Sequence, residues 1–293
     1  MIKVSIIVPV YESPEFIEPF FKFFHQNPLP NGIELIIVDN GSTDVFYNEI
    51  VIQGESIINC NIFRYPEKQS SYAARNFGVS QSKGQVLAFT DFDCILSKSY
   101  IDLLLTIDVN PKNIISGKVE LFYIKNNIYE VFDKYAYLNQ NTYSKEKKGA
   151  TANLLVPRNI FESLNGFSEF ISGGDGEFCH RVEKSGYGFE YNKDLVIRHP
   201  TRNTLKEHEI KAKRLGVGAS QNILKKKNNI LKKKFLIIKK IIGIIFPYHQ
   251  IRIGFKIMLN PLFVPKDFFK LIILCYKIGY LQRVEIVKTA FKK

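Results

Sequence analysis

The sequence predicts an α/β protein: a sheet flanked by helices, with a basic helical extension at its C-terminal end. Three observations predict it. In the first hundred residues, short apolar runs rich in Val and Ile alternate with stretches of helical period. Polar groups directly follow three of those runs: Tyr11 and Glu12, then Asp39, then Asp91 and Asp93. The charge is also split. Residues 1–200 hold 19 Lys and Arg against 24 Asp and Glu, while residues 201–293 hold 22 against 4.

The elements follow in order. Val4–Val10, "VSIIVPV", is a continuous β-branched run, as expected of a strand buried on both faces. Pro14–His25 reads as a helix. Ile33–Val38 is a second strand, stopped by the turn formers "DNGSTD". Asn61–Tyr65 is a short third strand. Ser71–Ser82 is a helix, ended near Gly84, and Gln85–Thr90 is a fourth strand. Ser97 caps a helix running to Ile107. Ile114–Tyr123 and Thr151–Val156 read as strands, with a helix and a loop around Lys145–Gly149 between them. Pro157–Leu164 is a short helix with Pro in its first turn, and Asp175–Ser185 is another. "FEY" and "LVIRHP" are two short strands that close the α/β part near Pro200. The alternation implies a parallel sheet, and the expected division is an α/β domain over 1–200, made of halves 1–110 and 111–200, and a basic extension over 201–293. In parallel sheets ligands bind beyond the carboxyl ends of the strands, where the polar groups above fall.

Several function classes are excluded or disfavoured. No GxGxxG follows the first strand and no GxxxxGK occurs, which argues against a dinucleotide dehydrogenase or a P-loop NTPase. The four cysteines include no CxxC pair, so neither a zinc pattern nor a disulfide framework is visible. The first apolar run is too short for a signal peptide, which places the chain in a reduced, cytoplasmic compartment.

"VLAFTDFDC" ends an apolar strand in two aspartates one residue apart, Asp91 and Asp93. Carboxylates that close repel one another unless a cation joins them. Their oxygens are hard ligands suited to Mg2+ or Mn2+, ions that commonly bridge to substrate phosphates.

The set "VSIIVPVYE … ELIIVDNGSTD … SSYAARNFGVSQSKGQVLAFTDFDC" resembles the nucleotide-binding half of family 2 glycosyltransferases, which are inverting enzymes of GT-A fold. The resemblance covers roughly residues 3 to 200. It implies a nucleotide-sugar donor, most often UDP-linked in the family, with GDP and dTDP as alternatives, and Mn2+ or Mg2+ as cofactor. It implies that Asp39 holds the nucleotide base, with Pro9, Val10, Tyr11 and Glu12 as the neighbouring wall. It implies that Arg75 contacts the nucleotide and that Asp91 and Asp93 form the metal and ribose–diphosphate motif. His199, in "VIRHPTR", stands where related enzymes place a histidine near the metal or diphosphate; Arg198 and Arg202 flank it, and Asn153 is a candidate for the sugar pocket.

"ISGGDGEFCHR" supplies a second candidate region. The family pattern there has an acid where this chain has Gly174, while Asp175, Glu177, Phe178 and Arg181 match. Direct displacement at an anomeric carbon needs a base for the acceptor hydroxyl and a Lewis acid for the leaving diphosphate. Asp175 suits the first role, and Glu177 an orienting or structural one. The runner-up readings are a nucleotidyltransferase, distinguished by pyrophosphate release, and a degenerate sugar-nucleotide-binding scaffold.

Between Lys225 and Lys240 the lysines meet no acid and interleave with apolar runs. No 18-residue apolar stretch occurs. Asp267, Lys270 and Lys277 form a narrow polar stripe on an otherwise apolar helix. The pattern fits helices in a membrane interface on an anionic surface. A packed helical layer is the alternative, and no nucleic-acid motif appears. Together with the family resemblance, this tail implies that the acceptor is a lipid-linked saccharide or a surface polysaccharide, met at the inner face of the cell membrane.

Overall fold

The computed structural model describes residues 2–137, 147–225, 238, 248–259 and 265–291. The chain divides into two compact units. The first is Met1–Glu120, Gln140–Glu169 and Gly174–His199; the second is Leu121–Asn139, Phe170–Gly173 and Pro200–Lys293.

Seven strands form one sheet: β1 (Val4–Val10), β2 (Ile33–Asp39), β3 (Cys60–Arg64), β4 (Val86–Phe89), β5 (Asn113–Phe122), β6 (Leu154–Pro157) and β7 (Gly188–Pro200). Their order is β3-β2-β1-β4-β6-β5-β7. The expected parallel sheet holds for β3, β2, β1 and β4. It fails at β6, which runs antiparallel to both β4 and β5. Parallel neighbours need a crossover packed on the sheet. The helix between β5 and β6, α5 (Ile128–Ala136), packs into the core of the second unit instead.

The other helices of the first unit are α1 (Ile17–Gln26), α2 (Asp44–Gly54), α3 (Ser71–Gln81), α4 (Lys98–Thr106), α6 (Arg158–Ser163) and α7 (Gly174–Lys184). A single 3-10 turn, Pro14–Phe16, precedes α1. Caps start several where expected: Ser70 accepts from the backbone of Tyr72 and Ala73, and Ser97 from that of Tyr100. Helix α2 lies in a stretch whose sequence reading ended at turn formers. Its Val45 and Ile52 are exposed while Phe46 and Ile50 are buried, so apolar residues run round the helix and blur the 3.6-residue period. β7 is one 13-residue strand rather than two short ones. It lies at the sheet edge, where the polar Asn192–Asp194 stretch meets water.

The core of the first unit joins β1, β2, β4 and β6 to α3, α6 and α7. An aromatic group of Phe89, Phe161, Phe167 and Phe178 fills it, with ring centroids 4.9–5.6 Å apart. That packing fixes α3 and α7, two helices that carry candidate site residues.

The second unit is helical. α5 packs with α8 (Leu205–Lys225), α9 (Tyr248–Met258) and α10 (Phe268–Phe291) around Phe132, Ala212, Ile257, Leu271, Leu274 and Ile278. Most of the Lys225–Lys240 run lies outside the described residues.

Candidate active site

Because β1, β2 and β4 are parallel, their carboxyl ends share one edge. Asp39 ends β2 opposite Val10 of β1, and Asp91 and Asp93 follow β4. β2 and β4 flank β1, so Asp39 and the aspartate pair are separated by about two strand spacings of ~4.8 Å each.

Asp39 is fully buried. Its carboxylate accepts from the Ser42 backbone N–H at 3.1 and 3.3 Å and meets Arg64 Nε at 3.3 Å. The sequence reading missed Arg64. The β2–β3 register sets it directly opposite Asp39, and it also bonds Asp44 at 2.6 Å and the Ser42 carbonyl at 2.6 Å. The available signal was its position at the carboxyl end of the third apolar run. Gly41 closes the turn after β2 with a φ of +89°. Glu12 adopts a φ of +40°, held by its amide on Ser42 Oγ at 3.0 Å and its carboxylate on the Thr43 N–H at 2.5 Å. Among the wall candidates, Val10 is buried, Pro9 is half-buried, and Tyr11 is 51% exposed beside Glu12.

Arg75 lies on the inward face of α3, only 2% exposed, and forms an ion pair with Asp91. Its Nη1 also donates to the Ser71 carbonyl at 3.2 Å, while its buried Nε has no partner among the described residues. Asp93 meets His199 Nε2 at 3.5 Å. His199 is carried there by a bridge between the loop after β4 and the end of β7, in which Ile95 and Arg198 exchange backbone hydrogen bonds of 2.8 and 3.0 Å. One donor atom from each of Asp91, Asp93, Cys94 and His199 lies within 4.8 Å of the others. Two carboxylates and an imidazole suit Mn2+ or Mg2+. Cys94 is a late member of the group. Burial first, then the charges of Asp93 and Asp91, hold its thiol well above its ordinary range.

Asp175 stands in the first turn of α7, with its Oδ1 accepting from the Gly176 N–H at 2.8 Å. Glu177 has a structural place: it pairs with Arg181 at 3.0 Å and accepts from Ser168 Oγ at 2.7 Å. Arg181 also binds the carbonyls of Leu164 and Gly166, tying that loop to the helix. Asn153 does not line an open pocket. It is fully buried, donates to the Lys118 and Leu195 carbonyls at 2.9 Å each, and accepts from the Tyr100 hydroxyl at 3.2 Å. Arg202 pairs with Asp133 at 3.2 Å within the second unit.

Known proteins share this architecture. The mannosyltransferase PcManGT from Pyrobaculum calidifontis, solved in complex with GDP-Man and Mn2+, superposes with a TM-score of 0.60 at 17% identity, covering 99% of this chain and 86% of that one. The fold is therefore that of the GT-A glycosyltransferases. In sequence, a profile described as Glycosyl transferase family 2 matches residues 5–164. Glycosyltransferase AglE of Haloferax volcanii is 33% identical over 205 residues, 68% of this chain and 67% of that protein. Glycosyltransferase GlyG of Streptococcus pneumoniae is 28% identical over 108 residues, 34% of this chain and 33% of that protein. The chain belongs to glycosyltransferase family 2 and is a glycosyltransferase, which sets aside the nucleotidyltransferase alternative.

Proposed function

We propose that the protein is an inverting, metal-dependent glycosyltransferase. It moves a sugar from a nucleotide-sugar to a hydroxyl of a lipid-linked saccharide or nascent surface polysaccharide at the inner face of the cell membrane. The observation that carries this reading is the cluster of Asp91, Asp93 and His199 at the strand edge, with Arg75 bound to one of its carboxylates.

Each residue has a task. Asp39 and the wall of Pro9, Val10, Tyr11 and Glu12 hold the nucleotide base. Tyr11, the exposed aromatic member, offers its ring for stacking. Arg75 fixes Asp91 and keeps its Nε as a donor for the nucleotide. Asp91, Asp93 and His199 would hold Mn2+ or Mg2+, which when bound neutralises charge on the leaving diphosphate. Asp175 accepts the acceptor's proton as its oxygen bonds to the anomeric carbon and the bond to the diphosphate breaks. Inversion follows from that single displacement.

The neighbour's GDP-Man and Mn2+ complex supports a nucleotide-sugar donor and sets the choice of panel. UDP-, GDP- and dTDP-sugars are compared by thermal shift with and without Mn2+. A donor that binds only the folded protein raises its melting temperature. Stabilisation by one nucleotide class, enhanced by Mn2+ and abolished by EDTA, is expected. No shift with any donor, or equal shifts in EDTA, would reject the assignment.

The membrane placement rests on the second unit. Among the described residues no helix is long and apolar enough to cross a membrane. α10 nonetheless exposes Phe269, Ile272, Ile273, Tyr276 and Tyr280, with Lys266 and Lys270 near its start. These positions share one helix face. Sedimentation with anionic liposomes tests the reading. Phe269→Glu with Ile273→Glu should leave the protein in the supernatant, and unchanged co-sedimentation would refute peripheral insertion.

A further inference from the structure

The second unit holds a cavity of about 370 Å³, within the roughly 300–1,000 Å³ span of small-molecule sites. Helices α5, α8, α9 and α10 line it. Apolar Phe132, Leu215, Ile253 and Ile286 meet polar Gln250, Gln282 and Arg283 there. Arg283 is half-buried, and its Nη1 donates to Gln250 Oε1 and to the Gly279 carbonyl at 3.1 Å each. Carbonyl oxygens orient the guanidinium but leave its charge unbalanced. The bond from Arg283 sets the Gln250 amide, whose Nε2 then donates to Gln282 Oε1 at 3.0 Å. Nε and Nη2 of Arg283 and Nε2 of Gln282 have no hydrogen-bond partner among the described residues. The atoms left over along this relay are thus all donors.

No carboxylate of the unit is available to balance Arg283. Asp133 pairs with Arg202 at 3.2 Å, Glu209 with Lys277 at 2.5 Å, Asp267 with Lys270 at 3.6 Å and Glu285 with Lys288 at 3.5 Å. Glu130 accepts from the Asn127 N–H at 3.1 Å, and Glu207 from the Asn203 and Thr204 N–H groups at 2.9 Å each. Those are all the acidic residues of the unit. Burial, with no neighbouring carboxylate to offset it, lowers the Arg283 pKa from its ordinary value. A charge drawn out of water without a counter-charge is costly, and the cavity beside it has room for one from outside.

We propose that this cavity binds a phosphate group carried on an apolar chain, with Arg283 and Gln282 as donors to the phosphate and Phe132, Leu215, Ile253 and Ile286 around the chain. A guanidinium fork suits phosphate and carboxylate oxygens alike. Spare donors on two side chains favour phosphate, whose several terminal oxygens can meet both. The cavity is far larger than a phosphate, and the rest of its wall offers contact to an alkyl chain. The site is independent of the sugar-transfer reading, and its test uses no sugar donor.

Octyl phosphate, kept below its micellar concentration, is the probe. It is titrated into the full chain by calorimetry and followed by thermal shift. Inorganic phosphate tests the free anion, and octyl glucoside tests the chain alone. Octyl phosphate should bind about tenfold tighter than either, or more, the scale of one hydrogen bond between charged groups. Arg283→Met should weaken it by about the same factor. Gln282→Glu places a carboxylate beside the guanidinium; it should melt no lower than the native protein and lose octyl phosphate to a similar degree. That variant keeps the test decisive if Arg283→Met fails to fold. Both substitutions leave the exposed face of α10 intact, so binding through that face alone would survive them. Unchanged octyl phosphate affinity in Gln282→Glu overturns the proposal. Octyl glucoside binding as tightly as octyl phosphate also overturns it, since that marks a plain apolar groove. Equal affinity for inorganic phosphate does the same, since that marks a site for the free anion.

Discussion

Asp91 and Asp93 stand two residues apart in one motif, yet the structure makes them unequal, and the inequality is measurable. Asp91 is the counter-ion of Arg75, whose side chain is 2% exposed; Asp91 itself is 32% exposed. Removing one partner of a buried ion pair strands the other charge, at a cost of about 3–5 kcal/mol. Water reaching the exposed third of Asp91 reduces that to roughly 2–3 kcal/mol for Asp91→Asn. Asp93 meets the His199 ring at 3.5 Å, a contact an amide can largely reproduce, so Asp93→Asn should lose no more than about 1 kcal/mol. Both variants should lose the Mn2+-enhanced thermal shift by donor. Only Asp91→Asn should unfold at clearly lower urea, and adding Arg75→Met to it should recover stability without recovering binding. Far-UV circular dichroism suits the unfolding measurement, because the chain has no tryptophan. Equal stability of the two variants, or no recovery in the double variant, would refute the view of Arg75 as a buried charge held by Asp91.

Three further outcomes are expected. Asp175→Asn should bind donor normally yet transfer at about 10²–10⁴-fold lower rate, read from donor affinity and product formation side by side. Burial alone would raise the Glu130 carboxyl, but the N–H groups of Ile124, Lys125 and Asn127 and the Thr201 hydroxyl outweigh it and hold it below the usual range. Its stabilisation is therefore present above the ordinary carboxylate pKa and is lost as pH falls through the lower folded value; Glu130→Gln should be less stable at pH 7 and lose less on acidification, by urea titration. Burial raises the thiols of Cys179 and Cys275 to about 12 and that of Cys94 well above its usual range, so a thiol reagent at pH 8 should label them only after unfolding.

Much of the first unit could be read from the sequence because its signals are local. The β1, β2 and β4 runs are apolar on both faces, and Ser70 and Ser97 stand at helix starts. The edge position of Asp39, Asp91 and Asp93 follows from strand polarity alone. What escaped were relations between segments distant in sequence. Arg64 meets Asp39 through the β2–β3 register, and Tyr72 meets Gly174 through the packing of α3 on α7. Asn153 looked available for a sugar, yet its amide bonds to the Lys118 and Leu195 carbonyls. The antiparallel entry of β6 was hidden because α5 carries its apolar face to another core.

The C-terminal segment forms the packed helical layer that one reading of its sequence expected, and it also leaves an apolar face exposed. Along α10, Leu271, Leu274, Cys275 and Ile278 are buried against neighbouring helices. At 100° per residue, Phe269, Ile272, Ile273, Tyr276 and Tyr280 fall on the opposite side, and all are exposed. One apolar face is thus consumed by packing and a second faces outward. Lys277 lies on the stripe between them and pairs with Glu209 of α8 at 2.5 Å. The consequence for experiment is direct. Cutting the chain before α9 would strip Ile253, Ile257 and Leu271 from the core that Phe132 and Ala212 share, so lost membrane binding in such a fragment would follow from unfolding alone. Substitutions confined to Phe269 and Ile273 leave that core intact, and only they separate a helix that packs from a helix that both packs and inserts.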